Sequence, residues 1–248
     1  MIYCILIQYI SAIPAMPAPE HIHPALWRAT QLARASARVV PTGYADLSAQ
    51  LPEGGWPVGS LTELLLPHPG SGELRLLSTA LRGQQDSRPV ALVQPPFTPH
   101  IAAWRQWRIA PERLLWIAPA KLADTLWATE QVLKHASCTA LLCWLPQVRP
   151  ESLRRLHLAA QASDTLFFVL RPAQAAHGAS PAPLRLALAP AQDGLSVQIL
   201  KRRGPVCENP VFLSFDAPVQ AIALAAHATL DRHSSSSPVA GQHAYPVA

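Results

Sequence analysis

Two hydrophobic rhythms alternate along the chain from Leu61 onward. Short, nearly continuous apolar runs occur at Leu61 to Leu66, Val90 to Gln94, Leu114 to Ala118, Thr139 to Leu145 and Thr165 to Leu170. Runs of this length, bounded by Pro, Gly or polar residues, read as buried strands. Between them, Ser71 to Leu81, Pro99 to Trp107, Leu122 to Ala136 and Glu151 to Ser163 carry apolar residues at helical spacing, as with Leu122, Leu126 and Leu133. Strands apolar on both faces and separated by amphipathic helices predict an α/β fold. Its sheet should be mostly parallel with helices on both faces, because crossover connections place them there. Leu184 to Leu188 and Leu195 to Leu200 flank Gln192-Asp193-Gly194, which predicts a C-terminal antiparallel hairpin at the sheet edge.

The flanking regions are patterned less regularly. A helical segment is expected from Leu26 to Leu47, broken near its end by a Pro41-Thr42-Gly43 turn. It leads into a loop from Leu51 to Gly59, enforced by Gly and Pro. Ala173 to Pro183 reads as a mobile loop. Beyond Pro205 the pattern weakens to one short helix at Val219 to Leu230 and a Ser234 to Ser237 run in a disordered tail. The expected division is an apolar, Pro-rich extension over residues 1–23, a core over 24–205 and a largely disordered tail over 206–248. Met1 to Ile13 is apolar from Ile2 to Ile7, but it lacks a basic start and is interrupted by Gln8, so it makes a poor signal peptide. Met16 reads as the more ordinary beginning. No run reaches membrane length.

Composition narrows the classes without choosing among them. Half of the 248 residues are apolar and 14% are charged, which is outside the disordered regime. The 26 prolines punctuate and do not repeat. A net charge of +5 permits nucleic-acid contact but does not require it. Cys4, Cys138, Cys143 and Cys207 form no C-x-x-C pair and are too sparse for a disulfide framework, which points to a reducing, cytoplasmic compartment. His21 and His23 with these cysteines fit no structural zinc pattern, so neither metal nor cofactor is expected.

The chemistry-bearing context is the junction after the first core strand. Pro67, His68, Pro69, Gly70, Ser71, Gly72, Glu73 and Leu74 stand between strand and helix, where a phosphate-binding loop sits. Against G-x-x-x-x-G-K-[ST], only Gly72 survives: Pro67 replaces the first glycine, Glu73 the lysine and Leu74 the magnesium-binding hydroxyl. At ~4 Å and an effective dielectric near 20, a charge pair is worth about 4 kcal/mol. Exchanging lysine for glutamate is therefore a swing of roughly 8 kcal/mol against a triphosphate. Gly70, Ser71 and Gly72 read either as a residual anion pocket or as a tight turn opening a helix. His68 is the histidine placed to contact an anion, and Ser71 lacks the elbow and base of a nucleophile.

Several longer stretches carry a resemblance. Pro41-Thr42-Gly43, followed by Leu51 to Glu63 reading Leu-Pro-Glu-Gly-Gly-Trp-Pro-Val-Gly-Ser-Leu-Thr-Glu, looks like the entry to a RecA-type ATPase core. Gly70 to Leu77, Leu114 to Pro119, Asp124 to Gln131, Arg154 to Ala160 and Ile199 to Gly204 resemble, in consistent order, the ImuA family of RecA-like accessory proteins in bacterial damage-induced translesion synthesis. This resemblance implies a RecA-like P-loop-type core with a degenerate phosphate loop. In RecA-type ATPases an acid closing an apolar strand holds magnesium, but Ala140 to Pro146 here ends in Trp144 and Leu145. Gln94-Pro95-Pro96 stands where the water-activating glutamate would follow the second core strand, and Arg171-Pro172 where a polar sensor would follow Leu170.

By the same resemblance the chain is a non-enzymatic adaptor in the SOS response. It would recruit a Y-family-like (ImuB-type) polymerase protein and RecA to damaged single-stranded DNA, with self-association possible and no membrane partner. The alternative is a SulA-like division inhibitor that binds the tubulin-like division protein. A third reading is a switch that binds nucleotide weakly without hydrolysis. Lys201, Arg202 and Arg203 are candidate DNA or partner contacts, or else a solvated strand end. Arg154 and Arg155 divide between solvent and an acidic partner surface. Arg105 and Arg108 could stack bases together with Trp104 and Trp107, although the i, i+3 spacing of the two tryptophans also fits core packing. Trp116, Trp127 and Trp144 lie on apolar elements and are expected to be buried.

Overall fold

The computed structural model describes residues 38–82, 87–205 and 207–215. Its ten strands are β1 (Val39–Pro41), β2 (Gly55–Pro57), β3 (Ser60–Leu66), β4 (Val90–Val93), β5 (Leu114–Ile117), β6 (Ala140–Trp144), β7 (Leu166–Pro172), β8 (Leu184–Ala191), β9 (Gly194–Lys201) and β10 (Val211–Ser214). The helices are α1 (Ala45–Gln50), α2 (Glu73–Arg82), α3 (Ile101–Gln106), α4 (Leu122–Lys134) and α5 (Pro150–Gln161). Eight strands form one sheet in the order β10-β9-β8-β3-β7-β6-β4-β5, with β9 and β10 antiparallel and the pairings from β8 to β5 all parallel. The α/β reading and the alternation of elements from β3 to β7 therefore hold.

Side-chain alternation explains the layering. Along β6, Ala140, Leu142 and Trp144 enter one core with Leu76, Leu77, Leu81 and Trp104 of α2 and α3, whereas Leu141 and Cys143 enter the other with Leu133 and Leu156 of α4 and α5. A strand that must fill two cores has no polar face, which is why β6 is buried throughout. Each helix contributes one stripe: Leu76, Leu77, Ala80 and Leu81 on α2, and Leu153, Leu156 and Ala160 on α5. Pro150 opens α5, where its missing N–H costs nothing, and Ala136 at φ 47° follows the end of α4.

Several expectations are corrected. Within the segment assigned to a helix from Leu26 to Leu47, the described part contains strand β1, and the presumed loop from Leu51 to Gly59 contains β2. The two pair antiparallel through Val40 and Trp56. Their anchor is the fully buried Trp56, whose ring meets Phe168 edge-on at 5.4 Å between centroids. Such a pair adds about 0.5–1.5 kcal/mol beyond its burial. Ala173 to Pro183 begins with a 3₁₀ turn over Ala173–His177, held where the carbonyls of Ala175, Ala176 and the following Gly178 receive Arg185. The hairpin forms as β8 and β9, but it is not the edge. β10, within the stretch assigned to the tail, closes the sheet by pairing with β9. The extension over 1–23 and the Val219 to Leu230 and Ser234 to Ser237 segments lie outside the described residues.

Two tryptophans also depart from expectation. Trp116 is 51% and Trp127 63% exposed, whereas Trp144 is buried. β5 is the sheet's other edge, so its residues have a neighbour on one side only. Trp127 sits on α4 away from the buried stripe of Leu126, Thr129 and Leu133.

Candidate functional site: the carboxyl rim of the central strands

β3 runs inside the sheet between β8 and β7, and its carboxyl end delivers the loop from Pro67 to Gly72 to the start of α2. Gly72 lies at φ 102°, a conformation side chains resist, and a Cβ there would stand 3.1 Å from the Phe215 ring. Its carbonyl accepts the N–H of Leu76, the first bond of the helix. Ser71 donates its hydroxyl to the carbonyl of His68. Its oxygen also stands 3.3 Å from His68 Nδ1.

Glu73 gives the loop its character. Its Oε1 accepts the N–H of Gly70 at 2.8 Å, and the residue is only 3% exposed. A loop amide that would face a phosphate in an anion-binding loop is thus bonded to a carboxylate of the same chain. An acid in the first turn also suits the positive end of the helix. Glu73 Oε2, by contrast, is buried without a partner. Just beyond β10, Phe215 packs against the loop from outside, 6.2 Å from the Tyr44 ring and 4.6 Å beneath the Arg75 guanidinium.

The positions that the resemblance compares with hydrolytic groups lie on the same rim. Trp144 closes β6, 7% exposed, and Leu145 follows it, buried. Gln94, at φ 55° after β4, donates its side-chain amide to the carbonyl of Pro119 at 2.8 Å. His68, Gln94, Trp144, Pro146 and Arg171 line a cavity of about 590 Å³ over these strand ends. This is the rim where open α/β sheets bind ligands.

Beneath the rim is an ion network that the sequence reading missed. Glu63, in the middle of β3 and fully buried, accepts Arg171 Nη1 at 2.6 Å and Arg185 Nε at 2.5 Å. β7 and β8 flank β3 in parallel register, with Glu63 opposite Val169 and Arg185, so the guanidiniums reach it from both sides. The signal was present as one acid and two arginines inside otherwise apolar strands.

The basic candidates divide between places. Arg202 is spent on the backbone, donating to the carbonyls of Pro205 and Gln50. Lys201 donates to the carbonyl of Ser180, and Ser180 shares a surface cleft with Arg154. His157 accepts the Leu61 N–H through Nδ1. Burial holds it below the usual histidine range, assisted by the charges of Arg203 and Lys201. Lys201, Arg203 and Arg154 therefore gather near the amino end of β3, opposite the loop. Arg155 pairs with Glu130 at 3.1 Å. Arg105 and Arg108 lie with α3 on the other side of the sheet. There Trp104 is buried and meets Trp107 edge-on at 5.7 Å, so that pair is core packing.

Cys143 is fully buried beside Thr129, and burial pushes its thiol up to about 12, which makes it a packing residue. Among the described residues no group of three or more His, Cys, Asp or Glu is placed to hold a metal, and no helix is long and apolar enough to cross a membrane. Neither a family model nor a curated protein matches the chain.

Proposed function

We propose that the chain is a non-catalytic adaptor with a RecA-like core, of the kind its resemblance to the ImuA family implies. It would act in damage-induced translesion synthesis by joining a Y-family-like polymerase protein and RecA on single-stranded DNA. The observation that carries this reading is the closure of the degenerate loop on Glu73, whose carboxylate takes the Gly70 amide. Triphosphate chemistry needs that amide free and a cation beside it. Supporting it, the rim positions compared with the magnesium acid and the activating glutamate carry Trp144 and Gln94, and a mostly parallel sheet is continued beyond β8 by the antiparallel strands β9 and β10. Without hydrolysis, the role left to such a core is docking. The patch of Lys201, Arg203 and Arg154 is the candidate contact with DNA or with an acidic partner.

The test mixes the purified full chain with purified polymerase protein, with RecA on single-stranded DNA, and with the tubulin-like division protein, each with and without nuclease. Nuclease-resistant co-elution with the polymerase protein or RecA is the expected result. Co-elution with the division protein alone would transfer the case to the SulA-like alternative. ATP hydrolysis that Glu73→Ala abolishes would overturn the non-catalytic reading.

A further inference from the structure

A second, smaller cavity of about 200 Å³ lies behind the loop, bordered by Glu73, Phe97, Trp104, Trp107 and Trp144. Two features of its wall stand out. Three indoles and a phenyl ring are among its lining residues, and the planes of Trp104 and Trp107 stand at 77° to each other, forming a corner. Its one acidic residue, Glu73, is 3% exposed and has a buried oxygen with no hydrogen-bond partner. The indole N–H of Trp144, 7% exposed, has none either. A buried carboxylate oxygen left unpaired is costly and rare in folded proteins. What it lacks is a positive charge or a donor: no Lys or Arg borders the cavity, and the Thr98 and His100 side chains that also line it make no hydrogen bond to that oxygen.

We propose that this cavity binds the head group of an organic ammonium ion. Aromatic faces attract such cations through their quadrupoles, most strongly in the case of indole, and several rings around one space form the cage that recognises alkylated ammonium groups. Glu73 supplies the opposing charge, and the Trp144 N–H suits an oxygen carried one or two carbons from the cationic centre, as in a hydroxyalkylammonium. The volume fits a trimethylammonium group or the end of a lysine-like chain and excludes a nucleotide, which needs several hundred cubic ångströms. Phe97, 67% exposed, stands at the mouth. The inference rests on this geometry and not on the adaptor reading, so either stands or falls alone.

The full chain is titrated with choline, tetramethylammonium and n-butylammonium, and with 3,3-dimethylbutan-1-ol as the neutral isostere of choline. The readouts are calorimetry and the indole N–H resonances, those of Trp107 and Trp144 being assigned with Trp107→Phe and Trp144→Phe. At about 10 mM, ten times a millimolar Kd, at least one cation is expected to bind and shift both assigned indole signals, while the isostere does not. Preference for choline marks a free quaternary amine, and preference for n-butylammonium a lysine side chain of a partner. Glu73→Gln should weaken binding by about tenfold. Phe97→Ala, at an exposed position that leaves the core intact, should weaken it by a smaller factor. Equal binding of cation and isostere, no shift of either indole at that concentration, or unchanged affinity in both variants would each overturn the proposal.

Discussion

Glu63 and Glu73 are both buried acids, ten positions apart on one strand and the helix it feeds, and the molecule treats them in opposite ways. Glu63 is fully enclosed and meets two guanidiniums, one from each neighbouring strand. Arg185 then carries the network on to the carbonyls of Ala175, Ala176 and Gly178. Glu73 meets one backbone amide and leaves an oxygen unsatisfied. The first belongs to a network that ties β7, β3, β8 and the following turn together. The second is a local stopper with capacity to spare. Both oxygens of Glu63 are paired, although Arg171 Nε, like Glu73 Oε2, is buried without a partner, so the contrast lies in the two carboxylates. Where both oxygens are paired the structure is being held, and where one is left over a ligand or a tolerance for change is indicated.

The comparison breaks most easily at Glu63. Glu63→Gln leaves two buried guanidiniums facing a neutral amide, and removing one partner of a buried ion pair costs about 3 kcal/mol or more. For a chain of this size that is a fall in Tm of roughly 6–12 °C, read by thermal and urea unfolding. Replacing Glu63, Arg171 and Arg185 together by Leu, Met and Leu should restore most of the loss, because desolvating three charges offsets much of their attraction. If Glu63→Gln costs under about 1 kcal/mol, the network is not the hub described above.

Phe215 tests the loop from its outer side. Phe215→Ala removes the ring that packs on Gly72, Tyr44 and Arg75. Because the ring is only partly buried, we expect about 2 kcal/mol, below the loss for a fully buried phenylalanine, with a matching drop in the urea midpoint. An unchanged midpoint would mean that the segment after β10 does not support the loop.

Glu73→Gln should then be nearly silent in the same melts, within about 1 kcal/mol, since the amide oxygen still accepts from Gly70 and one polar group stays unpaired as before. The contrast with Glu63→Gln is the point of the experiment. Equal losses would place both acids in the same structural role.

How much of this was legible in the sequence follows from what each pattern encodes. β3, β4, β6 and β7 were readable because a strand between two cores has apolar residues in succession, and α4 and α5 because one stripe of each faces a core. β2 and β10 were not, since a three-residue strand with Pro57 and a four-residue strand after a turn leave too few positions to show a period. The exposure of Trp116 depended on β5 lying at an edge, a fact of strand order that the local sequence does not hold. At the site, Glu73 was conspicuous as the wrong charge in a loop context. Glu63 was overlooked although an acid between Thr62 and Leu64 in an apolar strand predicts a buried partner, because its arginines lie 108 and 122 residues away.

Asp164 supplies the exposed counterpart that sharpens the contrast. It lies in the turn between α5 and β7, its side chain 45% exposed, with both oxygens taken by Arg88 at 2.7 and 3.0 Å and Arg38 at 3.6 Å. The Arg88 hydrogen bonds hold its carboxyl below the ordinary value, partly opposed by burial. A depressed folded-state pKa means stability that is fully present above the unfolded value near 3.9 and lost as the pH falls through the folded one. Solvent screens a pair this exposed, so the expected contribution is a few tenths of a kcal/mol. Asp164→Asn should lower the urea midpoint slightly at about pH 7, and the gap to wild type should close as the pH falls below the lowered folded-state value. It should also narrow at about 1 M salt, where exposed charges are screened within a few ångströms. The Glu63 effect, enclosed by protein, should persist at that salt concentration. A Glu63→Gln loss that vanished in salt along with the Asp164 one would show water reaching the network and would remove the distinction between the two acids.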